Sequence, residues 1–371
     1  MKQNMNDMKH NMNDMNNMND NMNRMIHFDT DYMEGAHPDV MKRLVETNLE
    51  QTTGYGSDAY TQQAKQLIIE ACGLNPSEAE VHFLVGGTQT NSTVIDGLLR
   101  HHEGVMAAET GHINVHESGA IEASGHKVLT LPSHDGKVRA EEVAAYVDDF
   151  YRDDTYEHMV APGMLYISQP TEYGTLYSHR ELQALSEVCR SRHIPLYIDG
   201  ARLAYALASP QNDTSLPELA QLADAFYIGG TKCGLLFGEA VVVPQGKALL
   251  PHFFPLVKQH GALLAKGRLL GVQFAALFAD GLYFRLGAHA VELALKLKSA
   301  FATKGYTIHI DSYTNQQFFR LPNSVIDRLS SVATFELWGP RGKEQSTVRF
   351  VTSWATQEED VQALVEAVIS D

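Results

Sequence analysis

Three short stretches of the sequence each end an apolar run with residues that could do chemistry. VGGTQTN (85–91) places two glycines and a threonine before a helical pattern, YIDGARL (197–203) ends a run with an aspartate, and DAFYIGGTKCG (224–234) ends one with a lysine. Ligands of open α/β sheets bind outside the carboxyl ends of the strands. We therefore expect the three stretches to meet in one site.

Asp199 and Lys232 carry the charges of this candidate site. A lysine in a partly dry pocket has a lowered pKa and can form a Schiff base with an aldehyde. A carboxylate at the end of an apolar strand needs a cationic partner, because burying it alone is costly, and Arg202 is the predicted partner. Taken singly, each feature has an alternative: Lys232 as a surface lysine, and Asp199 with Arg202 as a structural ion pair.

The glycines of VGGTQTN indicate a phosphate site. Gly87 and Thr88 stand at the predicted start of a helix, where backbone N–H groups attract anions; a simple helix cap is the alternative. A phosphate cradle, a strand-end aspartate and a strand-end lysine are the parts that pyridoxal phosphate needs. They serve its phosphate, its ring nitrogen and its aldehyde. The sequence therefore predicts pyridoxal 5'-phosphate as cofactor.

The chain also resembles a known family. From about Phe28 to the C-terminus it is similar to the threonine aldolase and β-eliminating lyase group of fold-type-I pyridoxal-phosphate enzymes. The motifs that carry the resemblance are TDYMEGAHP, YGSDAYT, GGTQTN, GHINVHESGAIEASGHKV, IDGARL, GGTK and VRFVTSW. It implies an α/β fold with a large, mostly parallel sheet of the seven-stranded type and a smaller α+β C-terminal domain. It also implies a lyase that cleaves the Cα–Cβ bond of threonine or allo-threonine to glycine and an aldehyde.

The resemblance assigns roles on the cofactor side of the site. Lys232 would carry the Schiff base, Asp199 would pair with the pyridine nitrogen, and His112 would stack on the ring. Arg202 would lie near the phenolic oxygen, and Arg268 would reach the phosphate of a neighbouring subunit. The implied cofactor-binding residues are Gly87, Thr88, His112, Asp199, Arg202, Lys232 and Arg268.

On the substrate side, the resemblance implies that Arg349 grips the carboxylate, with Arg202 and Thr30 close to it. The base that takes the proton of the β-hydroxyl needs a pKa near neutrality. That requirement suits His112 or His158, or a water that one of them holds. As alternatives, His112 stacks without transferring a proton, and His158 is a surface loop residue.

Three stretches on the substrate side depart from the better-known aldolases. Those enzymes carry an Asn-Thr-His-Asn run where this chain has QPTEYG (169–174), and usually a glycine where Cys233 follows the lysine; their glycine-rich run before the late arginine is reduced here to HGALLAKGR. The substrate therefore stays open. A β-eliminating lyase and an aminotransferase with the same cofactor remain alternatives, as does a catalytically silent amino-acid-binding protein.

Alternating apolar strands and amphipathic helices must position these residues. Such alternation is typical of a parallel or mixed sheet covered on both faces. We assign residues 26–250 to an N-terminal segment and a large cofactor-binding domain, and residues 251–371 to the smaller domain. The predicted strands are 80–85, 104–109, 126–132, 163–168, 194–199, 225–230, 239–243, 306–310, 316–320 and 347–351. The predicted helices are 37–51, 57–73, 88–102, a short one between 109 and 126, 140–152, 178–193, long helical stretches within 251–304, and 357–369.

Composition limits the partners. The chain has 371 residues and a formal net charge of −16, which argues against nucleic acid and anionic membranes and favours small-molecule ligands. No window approaches the apolar run of a membrane span. The three cysteines show no metal spacing, so we predict no metal and a reducing, cytoplasmic compartment. The family resemblance adds a homodimer or homotetramer with shared active sites.

Residues 1–25 form a separate segment. The tetrapeptide NMND recurs in it, and methionines recur every three or four residues. Asn and Asp disfavour helix, so we interpret the segment as a low-complexity, disordered tail; a weak amphipathic helix that docks on a partner is the alternative. Met25 could itself be the functional start.

Overall fold

The computed structural model describes residues 25–370. Its strands form a seven-stranded sheet, a four-stranded sheet and a two-stranded sheet. The strands are β1 (Ile26–His27), β2 (Glu80–Leu84), β3 (Glu103–Ala108), β4 (Lys127–Leu131), β5 (Ala161–Ser168), β6 (Leu196–Asp199), β7 (Ala225–Gly229), β8 (Glu239–Val243), β9 (Thr307–Ile310), β10 (Gln316–Pro322), β11 (Ala333–Thr334), β12 (Glu336–Leu337) and β13 (Gln345–Val351).

The seven-stranded sheet has the order β2-β8-β7-β6-β5-β3-β4. Only β8 pairs antiparallel with its neighbours in this sheet, and the other pairs are parallel. Six strands therefore end at one edge, and the reversed β8 begins there. This edge is where the sequence places the candidate site.

The α-helices connect and cover these strands. They are α1 (Pro38–Thr47), α2 (Ala59–Ala71), α3 (Gly87–Leu98), α4 (His112–Val115), α5 (Ala120–Ala123), α6 (Ala140–Arg152), α7 (His179–Ser191), α8 (Leu203–Leu207), α9 (Leu216–Leu222), α10 (Phe253–Gln259), α11 (Arg268–Phe278), α12 (Leu282–Thr303), α13 (Asn323–Leu329) and α14 (Glu358–Ile369). The predicted helix 140–152 and strand 239–243 have these bounds in the structure.

Two apolar cores lie on opposite faces of the large sheet. Alternate residues of each strand point to opposite faces, so Leu165 and Ile167 belong to one core while Met164 and Tyr166 belong to the other. The larger core packs against α2, α6, α7, α11 and α12. The smaller core packs against α3 and α10.

The four-stranded sheet is antiparallel, in the order β12-β13-β10-β9. Its core includes Phe319 and Phe350 and packs on residues of α12 and α14. β1 pairs in parallel with β11 and so attaches the start of the described chain to this unit. The domain boundary that we place after residue 250 stays a prediction.

The region predicted as long helical stretches contains three helices. Between α11 and α12 the backbone breaks at Asp280 (φ 51°) and Gly281 (φ 67°). By length and composition alone, the described chain has one helical stretch apolar enough to cross a membrane, Arg268–Thr303, although none was expected. Because 61% of its apolar window is buried inside the protein, it has the character of a core helix.

Some short elements carry no sequence signal that we recognised. They are β1, β11, β12, α8, α9 and α13. The two-residue strands are too short for an alternating pattern to show. Our predictions for residues 1–24, disordered tail or docking helix, lie outside the described residues.

Candidate active site

The candidate residues meet at the carboxyl edge of the large sheet. Asp199 is the last residue of β6, and Lys232 follows the end of β7 by three residues. The two strand ends approach closely because of paired glycines: a Cβ on Gly200 would lie 2.0 Å from the Tyr227 carbonyl oxygen, and one on Gly229 would lie 2.3 Å from that of Ala201. Any side chain at these two positions would force the strand ends apart.

One cavity at this edge brings the predicted cofactor residues together. Its walls include Gly87, Thr88, His112, Asp199, Arg202 and Lys232, together with Glu117, Ser168, Glu172, Tyr227, Thr231 and Glu239. The predicted phosphate-binding turn also lines the cavity, because α3 begins at Gly87 with Gly86 as N-cap. No side chain of the described residues caps this helix end, so its first N–H groups remain available for an anion.

Asp199 is buried among hydrogen-bond donors. Its Oδ2 accepts from the Tyr166 hydroxyl at 2.7 Å and from Asn91 Nδ2 at 3.0 Å, and its Oδ1 accepts from the Ala201 N–H at 2.9 Å. Burial opposes ionisation, but the His112 ring and the hydroxyls outweigh it and hold the pKa of Asp199 below its usual value. The cavity therefore presents a stable carboxylate.

The partner predicted for Asp199 pairs elsewhere. Arg202 donates from Nε to Asp31 Oδ2 at 2.6 Å and from Nη2 to Asp31 Oδ1 at 3.0 Å. The prediction of an Asp199–Arg202 ion pair is therefore wrong. Asp31, which is fully buried in the N-terminal segment, accepts the hydrogen bonds from Nε and Nη2 of Arg202 instead. Asn315 also donates to Asp31, at 2.9 Å.

Lys232 lies half-buried in the cavity wall, and its carbonyl accepts a hydrogen bond from the Tyr205 hydroxyl at 2.5 Å. Burial and the nearby Arg202 charge lower the pKa of Lys232 from its ordinary value, against the attraction of Asp31 and Asp199. A lysine whose pKa is lowered in this way is a better nucleophile at neutral pH. This environment excludes the alternative of a freely solvated surface lysine.

Glu239 faces the same cavity from the reversed strand β8. Its Oε1 accepts from the Thr231 hydroxyl at 2.8 Å and its Oε2 from the Gly230 N–H at 3.1 Å. Burial raises the pKa of Glu239 to about 8, although the two donors and Lys232 favour its charged form. At neutral pH much of this carboxyl group is therefore protonated.

His112 is held by a carboxylate that the sequence reasoning missed. Its Nδ1 lies 2.8 Å from Glu117 Oε1, which also accepts from Asn91 Nδ2 at 2.7 Å. Burial acts to lower the pKa of His112, but the Glu117 hydrogen bond and the Asp199 charge outweigh it, so the pKa is raised. Asn91 thus links the orientation of His112 to the Asp199 carboxylate.

A second cavity adjoins the first on the side of the smaller domain. The two share His112, Glu172, Arg202 and Lys232, and the second adds Tyr32, His116, Glu336, Trp338 and Arg349. Arg349 Nη1 donates to Gln316 Oε1 at 2.9 Å, its Nη2 forms an ion pair with Glu336, and its guanidinium lies 5.0 Å from the Trp338 ring centroid. The predicted carboxylate site therefore opens onto the predicted cofactor site.

The structure leaves three predicted residues outside these cavities. Thr30 precedes Asp31, and its Oγ1 is buried with no hydrogen-bond partner among the described residues. Arg268 donates to the carbonyls of Thr47 (2.8 Å) and Glu50 (2.7 Å). Neither side chain lines the two cavities of its own chain.

His158 lies at the opposite end of the sheet. It is exposed in a short 3₁₀ turn that ends three residues before β5 begins. β5 has 8 residues, so its two ends lie roughly 25 Å apart. The alternative of a surface loop residue fits this placement, and His158 does not share a cavity with Lys232. Cys233, which follows Lys232, has a free and buried thiol.

Sequence reasoning missed Asp31, Glu117, Glu172 and Glu239. A signal existed for two of them: Glu117 follows His112 by five residues in the same motif, and Glu172 stands in the departing QPTEYG stretch. Asp31 and Glu239 reach the site only through long-range packing and through the reversal of β8, which no local pattern reveals.

Comparisons with known proteins agree with this architecture. Residues 27–323 match the beta-eliminating lyase family. The low-specificity L-threonine aldolase of Pseudomonas sp. (strain NCIMB 10558) is 30% identical over 355 residues, which cover 92% of this chain and 98% of the relative. That of Pseudomonas aeruginosa is 29% identical over 348 residues, covering 92% and 96%.

Solved structures agree as well. The threonine aldolase of Leishmania major superposes with a TM-score of 0.88 at 42% identity, over 92% of this chain and 98% of that one. A methionine aminotransferase of Escherichia coli has a TM-score of 0.68 at 14% identity, over 94% of each chain, which shows a shared fold alone. The predicted fold-type-I architecture is confirmed, and the chain belongs to the beta-eliminating lyase family.

Proposed function

We propose that this chain is a pyridoxal-phosphate-dependent aldehyde-lyase that cleaves threonine or allo-threonine into glycine and an aldehyde. The observation that carries the proposal is the joining of two cavities around Lys232. One holds the buried Asp199 carboxylate and an uncapped helix start, and the other holds Arg349. Relatives named threonine aldolases match nearly the whole chain and support this substrate class.

The residues of the first cavity fit pyridoxal phosphate. A Cβ on Gly87 would lie 3.3 Å from the Tyr227 hydroxyl, so glycine at this position leaves more space at the start of α3. The first turn of α3 would bind the phosphate, Asp199 the ring nitrogen, and Lys232 the aldehyde. When bound, the cofactor would accept the electron pair released from the Cα–Cβ bond.

The side chains around that position orient the amino acid. Arg349 would bind the substrate carboxylate in exchange for its ion pair with Glu336. Arg202, held by Asp31, adds a second fixed positive charge shared by both cavities. His112 is fixed by Glu117 at the junction of the cavities, where it would stack on the ring. Such fixed charges favour a transition state without reorganising during the reaction.

Product analysis tests the proposal. The purified enzyme is incubated with threonine and with allo-threonine in the presence of pyridoxal phosphate, and the products are identified by NMR. Glycine plus acetaldehyde is the expected result. An oxo acid with ammonia would favour β-elimination, and an oxo acid with pyridoxamine phosphate would favour amino transfer. Bound cofactor without any turnover would favour a silent amino-acid-binding protein.

We further infer a homodimer or homotetramer in the cytoplasm. Two apolar side chains are exposed here, Leu49 at 86% and Val45 at 70%. They lie close in sequence to Thr47 and Glu50, whose carbonyls accept hydrogen bonds from Arg268. Such side chains in one area are typical of a protein interface. In this assembly, Arg268 would contact the cofactor phosphate of a neighbouring subunit, and Thr30 would lie near the substrate carboxylate, as the resemblance implies.

Three free, buried cysteines fit a reducing compartment.

A further inference from the structure

Glu172 occupies the stretch in which this chain departs from the better-known aldolases. It lies four residues beyond the end of β5, on the same edge of the sheet as Asp199. Its side chain contributes to both cavities, the one with Asp199 and the one with Arg349. A group in this position can face the amino acid that Arg349 holds.

One oxygen of the Glu172 carboxyl group is fixed and the other is available. Oε1 accepts from the Ser168 hydroxyl at 2.8 Å and from the His112 backbone N–H at 2.9 Å. Within residues 25–370, the two hydrogen bonds that other residues donate to this carboxyl group both go to Oε1, and the backbone N–H of Glu172 itself also hydrogen-bonds the group. The two donors fix the carboxyl plane, so Oε2 can point into the shared space without losing its support.

The other groups facing this space are less suited to accept a proton. The pKa of His112 is raised, so its ring holds a proton more firmly than an ordinary histidine. Burial and the charge of His112 lower the pKa of His116, which weakens it as a base. Glu336 pairs with Arg349 and does not line the cavity that contains Asp199. Lys232 is the residue that we assign to the aldehyde of the cofactor.

The surroundings of Glu172 strengthen it as a base. Burial raises the pKa of Glu172, and the nearby Asp199 carboxylate adds to that rise, against the hydrogen bonds from its own backbone N–H, from Ser168 and from the His112 backbone. The Tyr166 hydroxyl, which lies 3.2 Å from Ser168 Oγ, also faces it. Lys232 and Arg202 line the same two cavities as Glu172. A carboxylate with a raised pKa accepts a proton more readily than an ordinary one.

We propose that Glu172 is the catalytic base that removes the proton from the β-hydroxyl of the substrate. The inference rests on the proposed aldolase function. As the O–H proton passes to Oε2, the Cβ–O bond becomes a carbonyl and the Cα–Cβ bond breaks. Cα then gains one proton, which replaces the one taken from oxygen. The products are glycine and the aldehyde, and Glu172 returns its proton to solvent, so no oxidant or reductant is needed.

The Glu172→Gln variant of the holoenzyme tests this role. The glutamine carbonyl can accept the hydrogen bonds from Ser168 and His112, so the site keeps its shape, but the amide is not a base. We expect kcat for threonine cleavage to fall by about 10²–10⁴-fold. Exchange of the α proton of glycine with deuterium, followed by NMR, needs no β-hydroxyl and should stay at the wild-type rate. The visible absorption of the bound cofactor should also be unchanged.

The pH profile and chemical rescue complete the test. The base works when ionised, so wild-type kcat/KM should fall as the pH drops through the pKa of Glu172, and this limb should be absent in Glu172→Gln. Added formate should restore part of the cleavage activity of Glu172→Ala. Cleavage by Glu172→Gln at the wild-type rate would overturn the proposal. A wild-type enzyme that exchanges the glycine proton but never cleaves threonine would instead contradict the proposed function.

Discussion

Arg202 and Asp31 form a two-bonded ion pair that joins the N-terminal segment to the start of α8. The Nε–Oδ2 and Nη2–Oδ1 distances are 2.6 and 3.0 Å, and the Asp31 side chain is fully buried. The two residues are separated by 171 positions in the sequence. The pair fixes the positive charge at the junction of the two cavities, and both stability and substrate binding should depend on it.

Asp31→Asn should destabilise the protein by about 3–5 kcal/mol, because it leaves the buried Arg202 charge without its anion. The free energy of unfolding, measured by urea denaturation at neutral pH, checks this value. Asp29→Asn is the matched control, since Asp29 lies two residues away and its side chain is 33% exposed. It should cost no more than about 1 kcal/mol.

The stability difference between wild type and Asp31→Asn should depend on pH, because the Asp31 carboxylate of the wild type titrates. Burial acts to raise the pKa of Asp31, but the Arg202 and Lys232 charges outweigh it and lower the pKa from its ordinary value of 3.8. The stabilisation is therefore complete above that value and is lost as the pH falls through the lower pKa of the folded state. The difference between wild type and Asp31→Asn should shrink below pH 3.8. An unchanged difference there would contradict the charge-based explanation.

Lys232→Ala should abolish covalent attachment of the cofactor. Borohydride reduction of the wild-type holoenzyme should fix the pyridoxyl label on the peptide containing Lys232, as mass spectrometry will show. Lys65→Ala is the matched control, because burial also lowers the pKa of Lys65 but this residue lines a different cavity. It should be labelled as fully as wild type. A label on any lysine other than Lys232 would contradict the assignment.

Asp199→Asn should keep the cofactor but lose most turnover, because an amide stabilises a protonated ring nitrogen poorly. The loss should correspond to about 3 kcal/mol or more in the activation free energy, as for other preorganised electrostatic contacts. Tyr166→Phe removes only one of the donors to the Asp199 carboxylate and should cost less, about 1.5–3 kcal/mol. Kinetics at matched cofactor occupancy measure both. Equal effects of the two variants would argue that Asp199 acts only through its hydrogen-bond network.

The sequence revealed the parts of the site that local patterns encode. Asp199 and Lys232 follow apolar runs, and parallel strands bring their carboxyl ends to one edge. The same rule explains the placement of His158. A residue that precedes a parallel strand lies at the opposite edge, so strand polarity alone separates His158 from the Lys232 cavity of its own chain.

The parts that sequence could not reveal depend on packing across long separations. The Asp31–Arg202 pair joins residues that no local pattern connects. Glu239 reaches the cavity only because β8 runs against its neighbours, so its first residue lies where the other strands end. An apolar run such as EAVVV (239–243) is compatible with parallel and with antiparallel pairing, so it does not indicate the direction of the strand.

Glu239→Gln should make the cofactor-free protein more stable than wild type, and this difference should grow as the pH rises. The ordinary pKa of this carboxyl group is 4.5, and the folded protein raises it to about 8. Between these values the folded state binds more protons than the unfolded state, so wild-type stability falls with pH there by up to about 1.4 kcal/mol per pH unit. Glutamine does not ionise and removes that slope. Urea denaturation from pH 4.5 to pH 8 measures it, and identical slopes for the two proteins would show that Glu239 is not protonated in the folded state.

Leu49→Glu should convert the protein into a monomer. Leu49 is 86% exposed and lies between Thr47 and Glu50, whose carbonyls bind Arg268, so a charge there would be placed in the proposed interface of the oligomer. Ile369→Glu is the matched control, because this residue is 50% exposed at the end of α14. Equilibrium sedimentation should show an oligomer for wild type and for Ile369→Glu, and a monomer with reduced activity for Leu49→Glu. If the Leu49→Glu protein sediments as the wild type does, subunits meet elsewhere, and if wild type is an active monomer, the proposal of shared active sites is wrong.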